Sequence, residues 1–351
     1  MKKSFALIFG IVFAASSLMI SCGSTSSAAA VAKESSETED APEFVRKELP
    51  ENMRVGAKGD RKVKTETDPY VVSVIDEAKE KFIQSFFTDG EKQITLEYSL
   101  FIPENLDYSK KYPLVMYIPD ASGASKNAKE LVEQYFGADI WASKEVQEKH
   151  ECFVFVPAFS EVVVDDNCDV SDEIEVAVKI ISSLVQNYNI DTNRIYASGQ
   201  SMGCMTSLYL NSKYPNLFAA SLFVSGQWWV YSLSPLKNAK FFYITAEGDE
   251  KASGGQTDLM NYFDKRNISY SFGKWSAQET SDVQNENAKK MISEGKNANF
   301  IRFEKGTVLS DGEKMEHMAS FNYGYRIEAV RDWLFDQKSS NSYFEKLINA
   351  K

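Results

Sequence analysis

Histidine is nearly missing from this chain of 351 residues: only His150 and His317 are present. Acid–base chemistry by imidazole near neutral pH therefore has two residues to draw on. Cysteine is scarce too, at four residues with no Cys-x-x-Cys pair, so no zinc site is expected. Positive charge is in deficit. Lysine and arginine number 39 against 50 aspartates and glutamates, a formal net charge of −11, and the isoelectric point is near 5.0. No basic groove with interleaved aromatics offsets this balance, which excludes nucleic acid as a partner. No internal repeat is visible. No second linker interrupts residues 69–351, which are long enough for one large domain. The acidic run Asp165-Asp166-Asn167-Cys168-Asp169 lacks what a calcium loop of the EF-hand type needs. Counted from Asp165, the sixth position is Val170 instead of Gly and the twelfth is Val176 instead of Glu. The run reads as an acidic loop whose Asp169 or Ser171 caps a helix over residues 172–188. Ile174, Ala177, Val178, Ile181, Leu184, Val185 and Tyr188 line one face of that helix, a core stripe.

What is present is concentrated in one segment. Arg194-Ile195-Tyr196-Ala197-Ser198 is a short β-rich run, Gly199-Gln200-Ser201-Met202-Gly203 follows, and a helical pattern begins there. Strand, sharp turn and helix around Gly-x-Ser-x-Gly make a nucleophile elbow. The turn holds Ser201 in a strained conformation, and a side chain at either flanking glycine would crowd it. The positive end of the following helix favours an oxyanion at the site. The bare pattern is weak; its strand and helix context is what gives it weight.

A serine hydroxyl needs a base to become a nucleophile. His150 precedes Ser201, in the polar run Glu148-Lys149-His150-Glu151, and reads as a solvated histidine. His317 follows Ser201, in Glu313-Lys314-Met315-Glu316-His317-Met318-Ala319. It is expected on a loop between the strand containing Phe300-Ile301-Arg302-Phe303 and an amphipathic helix over about residues 322–337. Chain order of nucleophile, acid, base makes His317 the candidate. The acid should follow a strand between the two. Phe241-Phe242-Tyr243-Ile244-Thr245-Ala246 reads as a buried parallel strand and ends in Glu247-Gly248-Asp249. Asp249 is the first choice, with Glu247 and Asp258 behind it.

Oxyanion donors are expected from the Met202 N–H and from the loop after the strand Tyr112-Pro113-Leu114-Val115-Met116-Tyr117-Ile118. In that loop Pro119 has no N–H, which leaves Ala121 or a neighbour. Asp120 either projects into the site, where its charge opposes an oxyanion, or points outward and caps a helix beginning near Ser125. Gln200 and the pair Trp228-Trp229, which follows an apolar strand pattern, are candidate substrate contacts. Either tryptophan fits core packing as well as stacking on a substrate ring. Strands alternating with helical patterns indicate an α/β class with a mostly parallel sheet between helices.

These segments in this order resemble the α/β-hydrolase superfamily, specifically secreted carboxylesterases of the polyhydroxybutyrate-depolymerase-like, feruloyl-esterase-like and "predicted peptidase" group. The resemblance covers about residues 88–337. It rests on Glu97-Tyr98-Ser99-Leu100-Phe101-Ile102-Pro103-Glu104-Asn105, Lys111-Tyr112-Pro113-Leu114-Val115, and Asp191-Thr192-Asn193-Arg194-Ile195-Tyr196 leading into the elbow. Tyr214-Pro215-Asn216-Leu217-Phe218-Ala219-Ala220 and Asp332-Trp333-Leu334-Phe335-Asp336-Gln337 complete it. It implies a three-layer sandwich and ester hydrolysis without a cofactor, with Ser201, Asp249 and His317 in the family's nucleophile, acid and base positions. The family commonly has His-Gly where this chain has Pro119-Asp120, and often a second Gly where Cys204 stands.

The N-terminus reads as a targeting segment. Lys2 and Lys3 precede a mostly apolar stretch, residues 5–20, too short and wrongly flanked for a spanning helix. Residues 1–21 are therefore a secretory signal. Leu18-Met19-Ile20-Ser21-Cys22 resembles the lipobox of bacterial lipoproteins, in which the cysteine is lipidated. Residues 22–68 then form the lipidated cysteine and a linker, rich in Ser, Ala, Thr, Glu and Lys over residues 23 to about 51. Outside the cytoplasm Cys152 and Cys168 can pair, and Cys204 is expected buried in the helix after the elbow. The expected function is an envelope-anchored esterase for a small-molecule or glycan-linked ester. The alternatives are a serine peptidase, or a binding lipoprotein that has lost turnover.

Overall fold

The computed structural model describes residues 68–310 and 313–349. The signal segment, Cys22 and most of the linker lie outside the described residues. Nine strands form one sheet among them: β1 (Ile83–Asp89), β2 (Ile94–Phe101), β3 (Tyr112–Ile118), β4 (Phe153–Ala158), β5 (Ile190–Gln200), β6 (Ala220–Val224), β7 (Phe241–Ala246), β8 (Ser271–Trp275) and β9 (Ala298–Phe303). Their order is β1-β2-β4-β3-β5-β6-β7-β9-β8. The first two pairings are antiparallel and the rest are parallel. Parallel neighbours need long crossovers, which explains the alternation of strand and helix in the sequence.

Every residue of β3, β4, β6 and β7 is buried. Such strands are covered on both faces, so they read as continuous apolar runs. Alternate side chains serve two cores. Val115, Tyr117, Tyr196, Phe242 and Ile244 enter one; Leu114, Met116, Ile118, Ile195, Ala197, Phe241 and Tyr243 enter the other. The chain moves from β3 outward to β4, then crosses back to β5 on the far side of β3. The carboxyl ends of β3 and β5 therefore flank a topological switch point, the crevice where α/β sheets hold ligands.

Several local expectations change. β5 starts at Ile190, four residues before the run legible in the sequence, because its ladder with β3 continues across an irregularity to Tyr112. The helix expected over 172–188 spans Glu173–Asn187. Its first amide, Glu173 N–H, is accepted by Ser171 Oγ at 3.3 Å. Asp165 instead closes its own loop, accepting the N–H groups of Asn167 and Asp169 at 2.9 and 3.0 Å. The helix expected over 322–337 is two helices, Glu316–Arg326 and Glu328–Asp336, separated at Ile327 with ψ of 99°. The break buries Ile327, and the Arg331 guanidinium donates to the Tyr325 carbonyl at the first helix's open end. Cys152 and Cys168 are free thiols. They belong to opposite cores, Cys152 to one face of the sheet and Cys168 against the other, so they do not pair. Burial pushes the Cys152 thiol up to about 12.

Candidate active site

Ser201 stands between β5 and the helix Met202–Lys213, at φ 50° and ψ −113°. A non-glycine residue there is strained and persists only because its surroundings determine it. They do so through backbone: Ser201 N–H donates to the Val224 carbonyl at the end of β6 (3.0 Å), and Met205 N–H donates to the Ser201 carbonyl (2.9 Å). The helix also lies very close to the strands. A Cβ on Gly203 would sit 1.9 Å from the Ile118 carbonyl oxygen, and one on Gly199 would sit 2.6 Å from the backbone of Gly203. Both glycines are dictated by this approach.

The side chains then converge. Ser201 Oγ is 2.9 Å from His317 Nε2, and His317 Nδ1 is 2.6 Å from Asp249 Oδ2. Asp249 is buried and its other oxygen accepts the Ala252 N–H at 3.3 Å, where it caps the helix Glu250–Asp264. The competing acids lie elsewhere. Glu247 is a surface residue bonded to Lys274 Nζ (2.7 Å) and to the Lys305 N–H (3.2 Å). The Lys274 ammonium, foremost, holds its carboxyl below the usual range. Asp258 is exposed in mid-helix.

His317 lies in the first turn of the helix Glu316–Arg326 and not on a loop. The helix is anchored where the sequence offered no signal. Ser320 Oγ donates to the His317 carbonyl (2.9 Å) and meets Ser225 Oγ at 2.6 Å. Ser225, just beyond β6, itself has a positive φ of 48°. The His317 ring packs edge-on to Phe321, with centroids 5.1 Å apart. The carboxylate of Glu316 receives the Gly248 and Gly306 N–H groups, each at 2.8 Å.

Asp120 takes neither expected pose. It is buried, at 4% exposure. Its Oδ1 accepts both the N–H (2.7 Å) and the hydroxyl (2.5 Å) of Ser122, and its Oδ2 accepts from Gln200 Nε2 at 3.0 Å. It caps the short turn Ala121–Gly123, while the next helix, Ala128–Gln134, has Asn127 as its own cap. Tyr117 donates to Gln200 Oε1 (2.9 Å), and Tyr135 bonds Ser122 Oγ (2.6 Å). Burial raises the phenol pKa of both tyrosines far above the ordinary value, so they remain neutral hydroxyls. The loop after β3 is thus braced from below. Ala121 and Met202 are first residues of their helical turns, positions whose N–H groups have no partner inside the turn.

The amide of Gln200 is committed to this network, although the residue also lines a cavity of about 230 Å³ beside the elbow with Asp120, Ser122, Tyr135, Met318 and Phe321. The two tryptophans separate. Trp228 is buried, edge-on to Tyr209, whereas Trp229 is 60% exposed and pairs with exposed Tyr231, centroids 6.0 Å apart. Cys204 is fully buried and its thiol pKa is raised by desolvation, which leaves it unreactive. Among the described residues no cluster of His, Cys, Asp and Glu is arranged to hold a metal ion, and no helix is long and apolar enough to cross a membrane.

No protein-family model and no curated protein sequence matches the chain. Solved structures do. A thermostable esterase is 25% identical over 75% of this chain, with a TM-score of 0.59; the match spans 64% of that protein's length, under two thirds of it. A feruloyl esterase module from Clostridium thermocellum, solved with sinapinate, is 13% identical over 77% of this chain and 94% of its own, with a TM-score of 0.52. The chain has the α/β-hydrolase fold.

Proposed function

We propose that this α/β-hydrolase-fold protein is a serine hydrolase that cleaves carboxylic esters through an acyl-enzyme. One observation carries the reading: the unbroken line from Ser201 Oγ to His317 Nε2 (2.9 Å) and from His317 Nδ1 to Asp249 Oδ2 (2.6 Å). His317 Nε2 takes the hydroxyl proton as Ser201 Oγ attacks the ester carbonyl carbon. Asp249 keeps the ring's other proton on Nδ1 and stabilises the imidazolium. The carbonyl oxygen becomes an oxyanion facing the N–H groups of Met202 and Ala121. His317 returns its proton to the departing alcohol, then activates water to release the acid and restore Ser201. Asp120 does not oppose the oxyanion in this scheme, since its carboxylate is occupied by Ser122 and Gln200. Of the two tryptophans, Trp229, next to Tyr231, is the exposed one and can meet a substrate ring; Trp228 belongs to the core.

A fluorophosphonate probe tests the reading. Labelling is expected at Ser201 alone and is expected to vanish in Ser201→Ala; undiminished labelling or turnover of a short-chain ester by that variant overturns it. The lipobox-like run ending at Cys22 supports a second element, an envelope protein anchored outside the cytoplasm by a lipid on Cys22. Cys22→Ala should shift the full-length protein from the detergent phase to the aqueous phase with its esterase activity intact. Unchanged partitioning rejects the anchor.

A further inference from the structure

We infer that Glu316 is a positioning residue for the proposed Ser-His-Asp line, acting as a clamp between the segments that carry the acid and the base. The inference rests on the hydrolase reading and deepens it. Asp249 and His317 are 68 positions apart in the chain and are delivered by different segments, one by the turn after β7 and the other by the helix after β9. Their 2.6 Å contact survives only if those two segments keep a fixed separation. Glu316 bonds backbone on both sides. It directly precedes His317 and is buried, at 7% exposure. Its Oε2 accepts the N–H of Gly248, directly before Asp249, at 2.8 Å. Its Oε1 accepts the N–H of Gly306, on the loop leaving β9, also at 2.8 Å.

The opposing surface is shaped for it. A Cβ added to Gly248 would lie 2.0 Å from Glu316 Oε1 and 2.2 Å from its carboxyl carbon, so the carboxylate occupies the space a side chain would need. Gly306 has a φ of 84°, a conformation that turns its N–H inward at little cost only for glycine. Two charge-assisted bonds to backbone are stronger than neutral ones and more directional. Glu316 does not touch Ser201 or the attacked carbonyl; it acts through Asp249 and His317.

The test compares Glu316→Gln and Gly248→Ala with wild type. Glu316→Gln turns one acceptor into an NH2 that faces an N–H, releasing one loop. Gly248→Ala expels the carboxylate from the other side. Both should lower kcat per probe-titrated active site by about tenfold to a hundredfold, the penalty of a misplacement near one ångström, with KM little changed. The two-histidine composition supplies a readout independent of turnover. In 15N-histidine spectra the downfield Nδ1 proton held by Asp249 should be lost or shifted in both variants, while the His150 signals stay in place. A purely structural role predicts a lower melting temperature with unchanged kcat per titrated site and an unmoved proton signal; that result overturns the clamp. A wild-type protein that no probe labels at Ser201 overturns the hydrolase reading, and the clamp with it.

Discussion

Both histidines of this protein bond a carboxylate and touch a phenylalanine, and only one of them makes a site. His150 Nε2 lies 2.8 Å from Asp332 Oδ1, and its ring stacks on Phe335 at 4.5 Å between centroids. It is therefore not the solvated residue its polar neighbours suggest; it ties the start of β4 to the helix Glu328–Asp336. His317 Nδ1 lies 2.6 Å from Asp249 and its ring is edge-on to Phe321. The difference is the other ring nitrogen. That of His317 meets Ser201 at the carboxyl edge of the sheet, where a strained turn, two helix N-termini and a crevice coincide. An imidazole–carboxylate pair is a common way to stabilise a surface; what sets His317 apart is the Ser201 hydroxyl on its far side.

Substitution should separate the pairs widely. Ser201→Ala and His317→Ala are expected to lower kcat by up to about a millionfold, as for serine and histidine in a comparable triad. His150→Ala should leave kcat within about twofold and cost a few degrees of melting temperature. Asp249→Asn should fall between, at roughly ten-thousandfold, and Glu247→Gln should be near wild type. Steady-state kinetics on an ester decides all of these, and a crippled Glu247→Gln beside an active Asp249→Asn would reassign the acid.

Smaller effects are expected at two buried carboxylates, one bonded and one without a hydrogen-bond partner. Asp120→Gly removes the acceptor for Ser122 and Gln200, leaving the buried Gln200 donor unpaired at about 1–3 kcal/mol. A lower melting temperature and a kcat that does not rise are expected; a faster enzyme would mean that the charge opposes the oxyanion after all. Asp139 is the opposite case. It is fully buried and neither oxygen has a hydrogen-bond partner, and desolvation holds its pKa well above the ordinary value. Its folded pKa being raised, its contribution is most favourable below about pH 3.8, and stability is lost as pH rises from there toward the folded pKa. Asp139→Asn should therefore flatten the fall in melting temperature as pH rises above about 4, by a few degrees. An identical pH slope in wild type and variant would show that Asp139 does not titrate with unfolding.

Much of the candidate site was legible because its chemistry is local. Gly199 and Gly203 announce a turn where strand and helix backbones nearly touch, and the apolar run of β7 announces a strand whose end places Asp249. The scarcity of histidine left one candidate base downstream of Ser201, His317. The helix around His317 was harder, since its boundary is set by Ser320, Ser225 and the break at Ile327, contacts between segments with no periodicity to reveal them.

By itself the sequence determined the layer architecture, the elbow and the order of Ser201, Asp249 and His317, because hydrophobic period and glycine sterics act within a few residues. Only the tertiary structure decided that Asp120 is a buried brace, that Trp228 is core while Trp229 is exposed, that Cys152 and Cys168 lie on opposite faces, and that Glu316 bonds both the turn after β7 and the loop after β9. Each of those outcomes depends on which distant segment lies across the sheet edge, and hydrogen bonding and burial are settled by that neighbour and not by the residue type.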